Sequence, residues 1–209
     1  DYDLQFEKTF LDAVQIVIKS LGWNVEHKHR WRNSLDNIKV IRTGLNVTKI
    51  LSQLRQYKSD WGAERDIEGT SNVHKDFGFP VLAAGVLQLV MGAVTKVGDY
   101  VGDSEVSVKT PAYDRHTEVV GFMKRHFHKH DRCGFLSLPV GGAVGKHIDV
   151  GSYYQTRDRY HLSIAGRYKY MVGDEEYIVE PGTLLWFNNK LLHGTENVGD
   201  EVRITFVFD

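Results

Sequence analysis

From Cys133 onward the chain is a series of short β-forming segments separated by turn-forming residues, and this pattern constrains the fold more than any other feature of the sequence. Phe135-Leu-Ser-Leu138, Arg159 to Ile164, Tyr168 to Val172, Glu176 to Val179, Thr183 to Phe187 and Val202 to Phe208 are rich in β-branched and aromatic residues. Between them lie Pro139 with Gly141, Gly142 and Gly145, then Ala165-Gly166, Gly173-Asp174, Pro181-Gly182, Asn188-Asn189 and Gly199-Asp200. Short strands at regular spacing predict an all-β sandwich or barrel. Closing about eight of them as two sheets gives a jelly roll. The sequence contains no internal repeat and no low-complexity tract.

The first half reads differently. Leu4, Phe10, Leu11, Val14, Val17, Ile18 and Leu21 recur at helical spacing, with Gly22 as a stop. A second helix is expected from Asn46 as N-cap to about Tyr57, followed by a glycine- and charge-rich loop from Ser59 to Asn72. The apolar stretch from Phe79 has no period that decides between strand and helix. Asp114 to His130 is expected to hold a further helix carrying Val119, Val120, Phe122 and Met123. The expectation is therefore one mainly β domain over residues 1–209, with a helical or mixed part at 1–130 and the β core at 131–209.

A chain of 209 residues buries a core without disulfides or structural metal, so a bound metal would be functional. The 26 basic and 27 acidic side chains leave a formal charge of −1, which makes nucleic acid an unlikely partner. Val81 to Val97 is the most apolar stretch, but Gly85, Gln88, Gly92 and Lys96 interrupt it and it falls short of the ~20 residues that span a bilayer. No secretory signal is visible and Cys133 is the sole cysteine, which fits a reducing, cytoplasmic setting.

The chemistry concentrates in the β half. His147-Ile-Asp149 puts two ligand types two residues apart, and on an extended strand such residues share a face. His193 follows 46 residues later, after Leu184-Leu-Trp-Phe187. Two imidazoles and one carboxylate on one face of an octahedral ion form the facial triad of non-heme iron(II) oxygenases, which leaves positions open for a 2-oxo acid and dioxygen. Arg203, ten residues past His193, lies inside an apolar terminal strand. A buried guanidinium needs an anion, and its planar fork suits a carboxylate. That anion is either a ligand or an internal Asp or Glu. Arg159 and His161 alternate on one face of another strand, with Leu162 and Ile164 around to the other.

His147-x-Asp149, Arg157-x-Arg159-x-His161-Leu162, His193, Asn197 and Arg203 with Phe206-Val-Phe-Asp209 resemble the aspartyl/asparaginyl β-hydroxylase family. Leu138-Pro-Val-Gly-Gly142 is similar to the glycine-bearing turn before that family's first ligand. Val73-His-Lys-Asp-Phe77 and Phe79-Pro-Val-Leu82 match an earlier strand more loosely. The specific part covers residues 134–209. The resemblance implies a double-stranded β-helix (jelly roll, cupin-like) fold and a dioxygenase that uses Fe(II), 2-oxoglutarate and O2. It implies His147, Asp149 and His193 as metal ligands and Arg203 as the anchor of the distal carboxylate of 2-oxoglutarate. Arg159 and His161 would line the same pocket and touch the co-substrate, and Ser137 would add a hydroxyl contact. Arg157 would lie nearer the prime substrate. The acidic ligand, which some animal members lack, places the chain closer to the bacterial, free-amino-acid-hydroxylating branch. Residues Gly151 to Thr156 would form a loop at the site mouth.

The expected reaction is hydroxylation of a C–H bond in an amino acid or an aspartyl- or asparaginyl-type side chain, on a small molecule or a peptide. The rival is a non-catalytic cupin-like module that binds metal or a small carboxylate. Trp186 and Phe187 are candidates to pack beneath the site, and Tyr153, Tyr154 and Tyr160 to shape its mouth, against plain packing roles. His126, His128 and His130, with Lys124, Lys129 and Arg132, read as a solvated basic helix end, as do His27 to Arg30. His74 and His116 read as hydrogen-bonded structural histidines, and Cys133 as a small apolar packer. Val140-Gly-Gly-Ala-Val-Gly145 lacks the Lys-Ser/Thr of a phosphate loop.

Overall fold

The computed structural model describes residues 37–61, 85–93, 96, 98–127 and 129–209. The N-terminal helix, the basic segment at His27 to Arg30, His74, His128 and the loosely matching segments at 73–77 and 79–82 lie outside the described residues.

Among the described residues, eleven strands form two antiparallel sheets. In chain order they are β1 (Ile38–Arg42), β2 (Val86–Gly92), β3 (Ser107–Lys109), β4 (Cys133–Leu138), β5 (Ala143–His147), β6 (Arg159–Ala165), β7 (Tyr168–Val172), β8 (Glu175–Val179), β9 (Leu184–Phe187), β10 (His193–Asn197) and β11 (Arg203–Phe208). The larger sheet runs β1-β9-β6-β11-β4-β2-β3 and the smaller β5-β10-β7-β8. This is the expected double-stranded β-helix. Among the described residues, three α-helices accompany it: α1 (Thr48–Gln56), α2 (Thr117–His126) and the single turn α3 (Ser152–Gln155).

Alternation along the larger sheet separates two environments. Leu162 and Ile164 of β6, Phe206 and Phe208 of β11, Phe135 of β4 and Leu87 and Leu89 of β2 point to one side. There they pack with Ile50 and Leu54 of α1 and Val119, Val120, Phe122 and Met123 of α2. The residues between them face the smaller sheet. At one end of that interlayer space Tyr168, Tyr170, Val172, Val179, Leu185 and Phe187 close a second apolar cluster. The remainder is a cavity. The apolar rows on the helix side hold the sheet rigid, so the polar rows on the other side are presented in fixed register.

Several local expectations shift. Asn46 is not the N-cap of α1. Val47 occupies that position, and the Asn46 side chain accepts the Thr48 N–H at 3.0 Å, a turn one residue early. The apolar stretch after residue 85 is a strand, because Leu87 and Leu89 pack on the helices while Gln88 faces the other way. Residues 111–115 are turns, tied by Tyr113 N–H to Thr110 O and Arg115 N–H to Ala112 O, so α2 begins only at Thr117. Gly151 to Thr156 is a helical turn with Tyr153 buried beneath it rather than an open loop. Among the described residues no helix is long and apolar enough to cross a membrane.

One asparagine and one glycine support the register. Asn197 ties the β10–β11 turn to the end of β4 through its Nδ2, which donates to the carbonyls of Leu138, Pro139 and Glu201 at 2.9 to 3.0 Å. The β6–β7 turn is held closer still. Gly166 has φ +73°, and a Cβ there would lie 2.6 Å from the Cα of Arg203. Gly141 has nearly the same φ, +71°, with nothing within 4 Å of a Cβ. Conformational strain is thus equal and only the collision differs. Gly166→Ala is expected to cost about 3 kcal/mol of unfolding free energy in urea titration, against about 1 kcal/mol for Gly141→Ala. Equal losses would refute the close-approach account.

Candidate metal centre

His147 ends β5, His193 begins β10, and the two are direct cross-strand partners. Their ring centroids lie 4.5 Å apart. Each Nδ1 sits 2.9 Å from the carbonyl oxygen two residues upstream, Gly145 for His147 and Leu191 for His193. A carbonyl only accepts, so each Nδ1 carries the proton and each Nε2 presents a lone pair. Burial holds the His193 pKa down to about 4, so the ring is neutral at physiological pH and keeps that lone pair.

Asp149 lies just beyond β5 and completes the set. Its Oδ1 is 3.8 Å from His147 Nε2 and its Oδ2 is 3.6 Å from His193 Nε2. One ligand atom from each residue falls within 4.8 Å of the other two. An ion with bonds of about 2.1 Å at right angles needs donors about 3 Å apart, so the widest of these separations would have to close by about 2 Å. Among the described residues no other group of three His, Cys, Asp or Glu side chains converges in this way.

Arg159 fixes the carboxylate from behind. Its Nη1 donates to Asp149 Oδ2 at 2.8 Å, while Nε and Nη2 donate to the two oxygens of Asp209 at 2.5 and 2.7 Å. Burial alone would lower the guanidinium pKa, but Asp149 and Asp209 outweigh it and raise the pKa well above its ordinary value. Three of the five N–H groups are thereby committed to carboxylates. The expected contact of Arg159 with a co-substrate is restricted to the remaining two, and its main work here is to orient Asp149.

These groups open on a cavity of about 370 Å³ between the sheets, a size suited to a small ligand. His161 lines it, edge-on to Tyr170 and Phe187, with its Nδ1 buried and unpartnered. Burial first, then the nearby charges of Arg203 and Arg159, push its pKa well below the usual histidine range. It is a neutral imidazole with an unused hydrogen-bonding atom.

Arg203 is 1% exposed. Its Nη1 donates to Thr205 Oγ1 at 3.0 Å, its guanidinium stands 5.2 Å from the Tyr168 ring centre, and its Nε is buried without a partner. The alternative of an internal salt bridge fails: among the described residues no carboxylate lies within ion-pairing distance. Burial lowers its pKa from a starting value so high that the charge persists. A buried cation lacking an acid is a candidate binding site for an anion, since an uncompensated buried charge is costly.

Other expected residues lie elsewhere. Ser137 pairs with Ile204, and both face the helices, so its hydroxyl lies on the wrong side of the sheet to meet a ligand in the cavity. The two-residue alternation that places Arg203 and Leu138 inward forces this. Arg157 is not on the cavity wall; it is ion-paired with Glu105 at 2.5 Å and lies over the Tyr153 ring. Trp186 faces away and donates to Asp158, whereas Phe187 does lie beneath His161 and His193. Tyr160 stacks on Phe208 in the helix-side core, Tyr153 is buried behind Arg132, and only Tyr154 of the three reaches the cavity. Arg132 is buried on the cavity wall rather than part of a solvated helix end, and His126 and His130 are half-buried with pKa values lowered by burial. His116 does have the expected structural role, bonded to Asp60 at 3.0 Å. Burial pushes the Cys133 thiol up to about 12, which suits packing and not attack. Sequence reasoning missed the part of Asp209 behind the candidate metal ligands. The signal was an acid closing β11 on the same alternate row as Arg203.

A double-stranded β-helix with two histidines and an aspartate converging in its interlayer cavity defines a cupin-type protein with a candidate metal centre. Residues 106–209, about half of the sequence, match the family described as aspartyl/asparaginyl beta-hydroxylase, and the chain belongs to that family. Solved structures to which it is similar include a predicted oxalate decarboxylase from Thermotoga maritima, at 15% identity and a TM-score of 0.33, covering 41% of this chain and 70% of that one. Another is a cupin 2 conserved barrel domain protein from Salinispora arenicola, at 13% identity and a TM-score of 0.31, covering 37% of this chain and 60% of that one. A third is a Klebsiella pneumoniae protein with a double-stranded beta-helix domain, at 16% identity and a TM-score of 0.32, covering 37% and 64%. A search of curated protein sequences gives no match.

If Arg159 orients Asp149 only while Asp209 holds it, Asp209→Asn should weaken divalent-metal affinity about tenfold. Cobalt(II) titration followed by visible absorbance reads this directly. An affinity equal to that of the native protein would remove Asp209 from the account.

Proposed function

We propose that the protein is an Fe(II)- and 2-oxoglutarate-dependent dioxygenase that hydroxylates a C–H bond of an amino acid or of an aspartyl- or asparaginyl-type side chain. The observation that carries this reading is the pairing, in one cavity, of the convergent triad with a buried arginine that has no acid. A metal site alone would suit many cupin-type modules. A metal site facing an unmatched guanidinium suits a ligand that chelates at one end and carries a carboxylate at the other.

The charges agree. The charged residues on the cavity wall are Arg132, Asp149, Arg159, Arg203 and Asp209. Arg159 is matched by Asp149 and Asp209, which leaves Arg203 and a divalent metal to be balanced by an anionic co-substrate. 2-Oxoglutarate is a dianion.

His147, Asp149 and His193 would hold the iron, with both Nδ1 protons fixed on carbonyls so that neither ring turns away. Arg203 would hold the distal carboxylate of 2-oxoglutarate, with Tyr168 behind its guanidinium. His161 would offer its unpartnered ring nitrogen to the bound co-substrate. Phe187 and Tyr170 would exclude water from the far side. Iron held there would supply activation of O2, with one oxygen atom entering succinate, the other entering the hydroxyl of the product, and CO2 released.

The test is Fe(II)-dependent succinate formation from 2-oxoglutarate under air. His147→Ala and Asp149→Ala are each expected to reduce it at least a hundredfold while leaving thermal stability near native. Turnover retained in either variant would remove the triad from the mechanism. A native protein that binds metal and 2-oxoglutarate but forms no succinate with any amino acid or acidic peptide would favour a binding module instead.

A further inference from the structure

Arg132 is a second buried cation in the same cavity. It is 7% exposed, lies on the wall, and like Arg203 has no carboxylate within ion-pairing distance among the described residues. It is held firmly. Nη2 donates to the carbonyls of Val101 at 2.9 Å and Ser104 at 2.6 Å, Nη1 reaches the Tyr154 hydroxyl at 3.4 Å, and the guanidinium carbon lies 3.8 Å from the centre of the Tyr153 ring. Gly92 leaves room for it, since a Cβ there would collide with the guanidinium. Its Nε is nonetheless buried and unpartnered. A buried N–H without an acceptor costs about 1–3 kcal/mol, a cost that an acceptor brought by a ligand would offset.

Its position separates it from the co-substrate end. Arg132 immediately precedes β4, and its carbonyl accepts the Asp209 N–H at 3.1 Å. Arg203 sits at the opposite end of β11, opposite Leu138. At about 3.4 Å per residue the two arginines are about 17 Å or more apart along the strands. Arg159, which holds the metal ligand Asp149, flanks β11 on the other side from Arg132. The Tyr154 ring stands between these two guanidinium groups, 4.5 Å from one and 5.6 Å from the other. Arg132 is therefore at the metal end, on the side away from Arg203.

The surroundings give the second part of the ligand. Met91 and Val101 line this end of the cavity and are exposed. Val108, the cross-strand partner of Met91, is exposed beside it. Val150 and Tyr100, joined by the Tyr100 hydroxyl on the Val150 carbonyl, continue the apolar rim. The charge count sets the third part. Once a divalent metal, Arg203 and a dianionic co-substrate are counted, one positive charge remains on the wall, and it is Arg132.

We propose that Arg132 anchors a single carboxylate of the primary substrate, and that this substrate is a small aliphatic carboxylate whose apolar body packs on Met91 and Val101. The proposal rests on the 2-oxoglutarate reading above and names the substrate class for that site. It moves substrate recognition from Arg157, which Glu105 already neutralises, to Arg132.

The test uses the protein loaded with zinc(II), which supports binding without turnover, and saturated with 2-oxoglutarate so that Arg203 is occupied. Saturation-transfer NMR then measures binding of N-acetyl-leucine and 4-methylpentanoate against their primary amides, which keep the body and lose the charge. The carboxylates are expected to bind at least tenfold more tightly than the amides. Arg132→Gln should erase that ratio and Arg132→Lys should restore part of it. Amides that bind as well as acids, acids that do not bind, or a ratio that survives Arg132→Gln would each overturn the proposal. The acid-to-amide ratio of the native protein stands even if the variants fail to fold. Failure of 2-oxoglutarate itself to bind, measured first in the same sample, would instead overturn the parent reading and this one with it.

Discussion

Arg203 is a full positive charge placed where water does not reach it and no acid meets it. Leaving such a charge unmatched costs several kcal/mol, and the fold has arranged its neighbours to accept that cost. Thr205 takes one N–H, Tyr168 lends a ring face, and Gly166 packs closely against the Arg203 backbone. The rest of the site is consistent with a ligand that supplies the missing negative charge. His161 is neutral because that positive charge adds to its burial, and it is left with an unused ring nitrogen facing the same space.

The larger sheet makes this possible by doing two jobs at once. Its helix-side rows bury the apolar core formed with α1 and α2, and its inner rows carry Arg159, His161, Arg203 and Asp209. A one-residue slip in β6 or β11 would exchange the two sets and bury charge in the core. The stability of the fold and the geometry of the site are therefore one property. The smaller sheet contributes the two histidines as a cross-strand pair, so the register of β5 on β10 determines whether the metal ligands meet.

Much of this was legible in the sequence. The turn-punctuated β runs gave the architecture, and the spacing of His147, Asp149 and His193 gave a triad whose side chains do converge. Period-two alternation put Leu162 and Ile164 on the face opposite Arg159 and His161 and left open which face holds the site; in the fold the first pair packs on the helices and the second faces the cavity. The same rule, applied to β4, would have placed Ser137 away from Arg203, because cross-strand partners share a face and Arg203 pairs with Leu138. What was not legible depends on contacts between segments far apart in the chain. β1 and β3 are short edge strands recognisable only through their partners β9 and β2. Arg132 reads as one more cation in a basic tract until the turn at 101–104 and the aromatic pair Tyr153 and Tyr154 close over it. Arg157 reads as a free cation until Glu105 is brought against it.

The central claim is that Arg203 and the triad bind the two ends of one molecule. Calorimetric titration of the zinc(II)-loaded protein with 2-oxoglutarate and with 2-oxobutyrate, which has the same chelating end and no distal carboxylate, tests it most directly. The account predicts a preference for 2-oxoglutarate of about a hundredfold, equivalent to about 2.7 kcal/mol, that disappears in Arg203→Ala. Equal binding of the two acids to the native protein, or a preference that persists in Arg203→Ala, would contradict it.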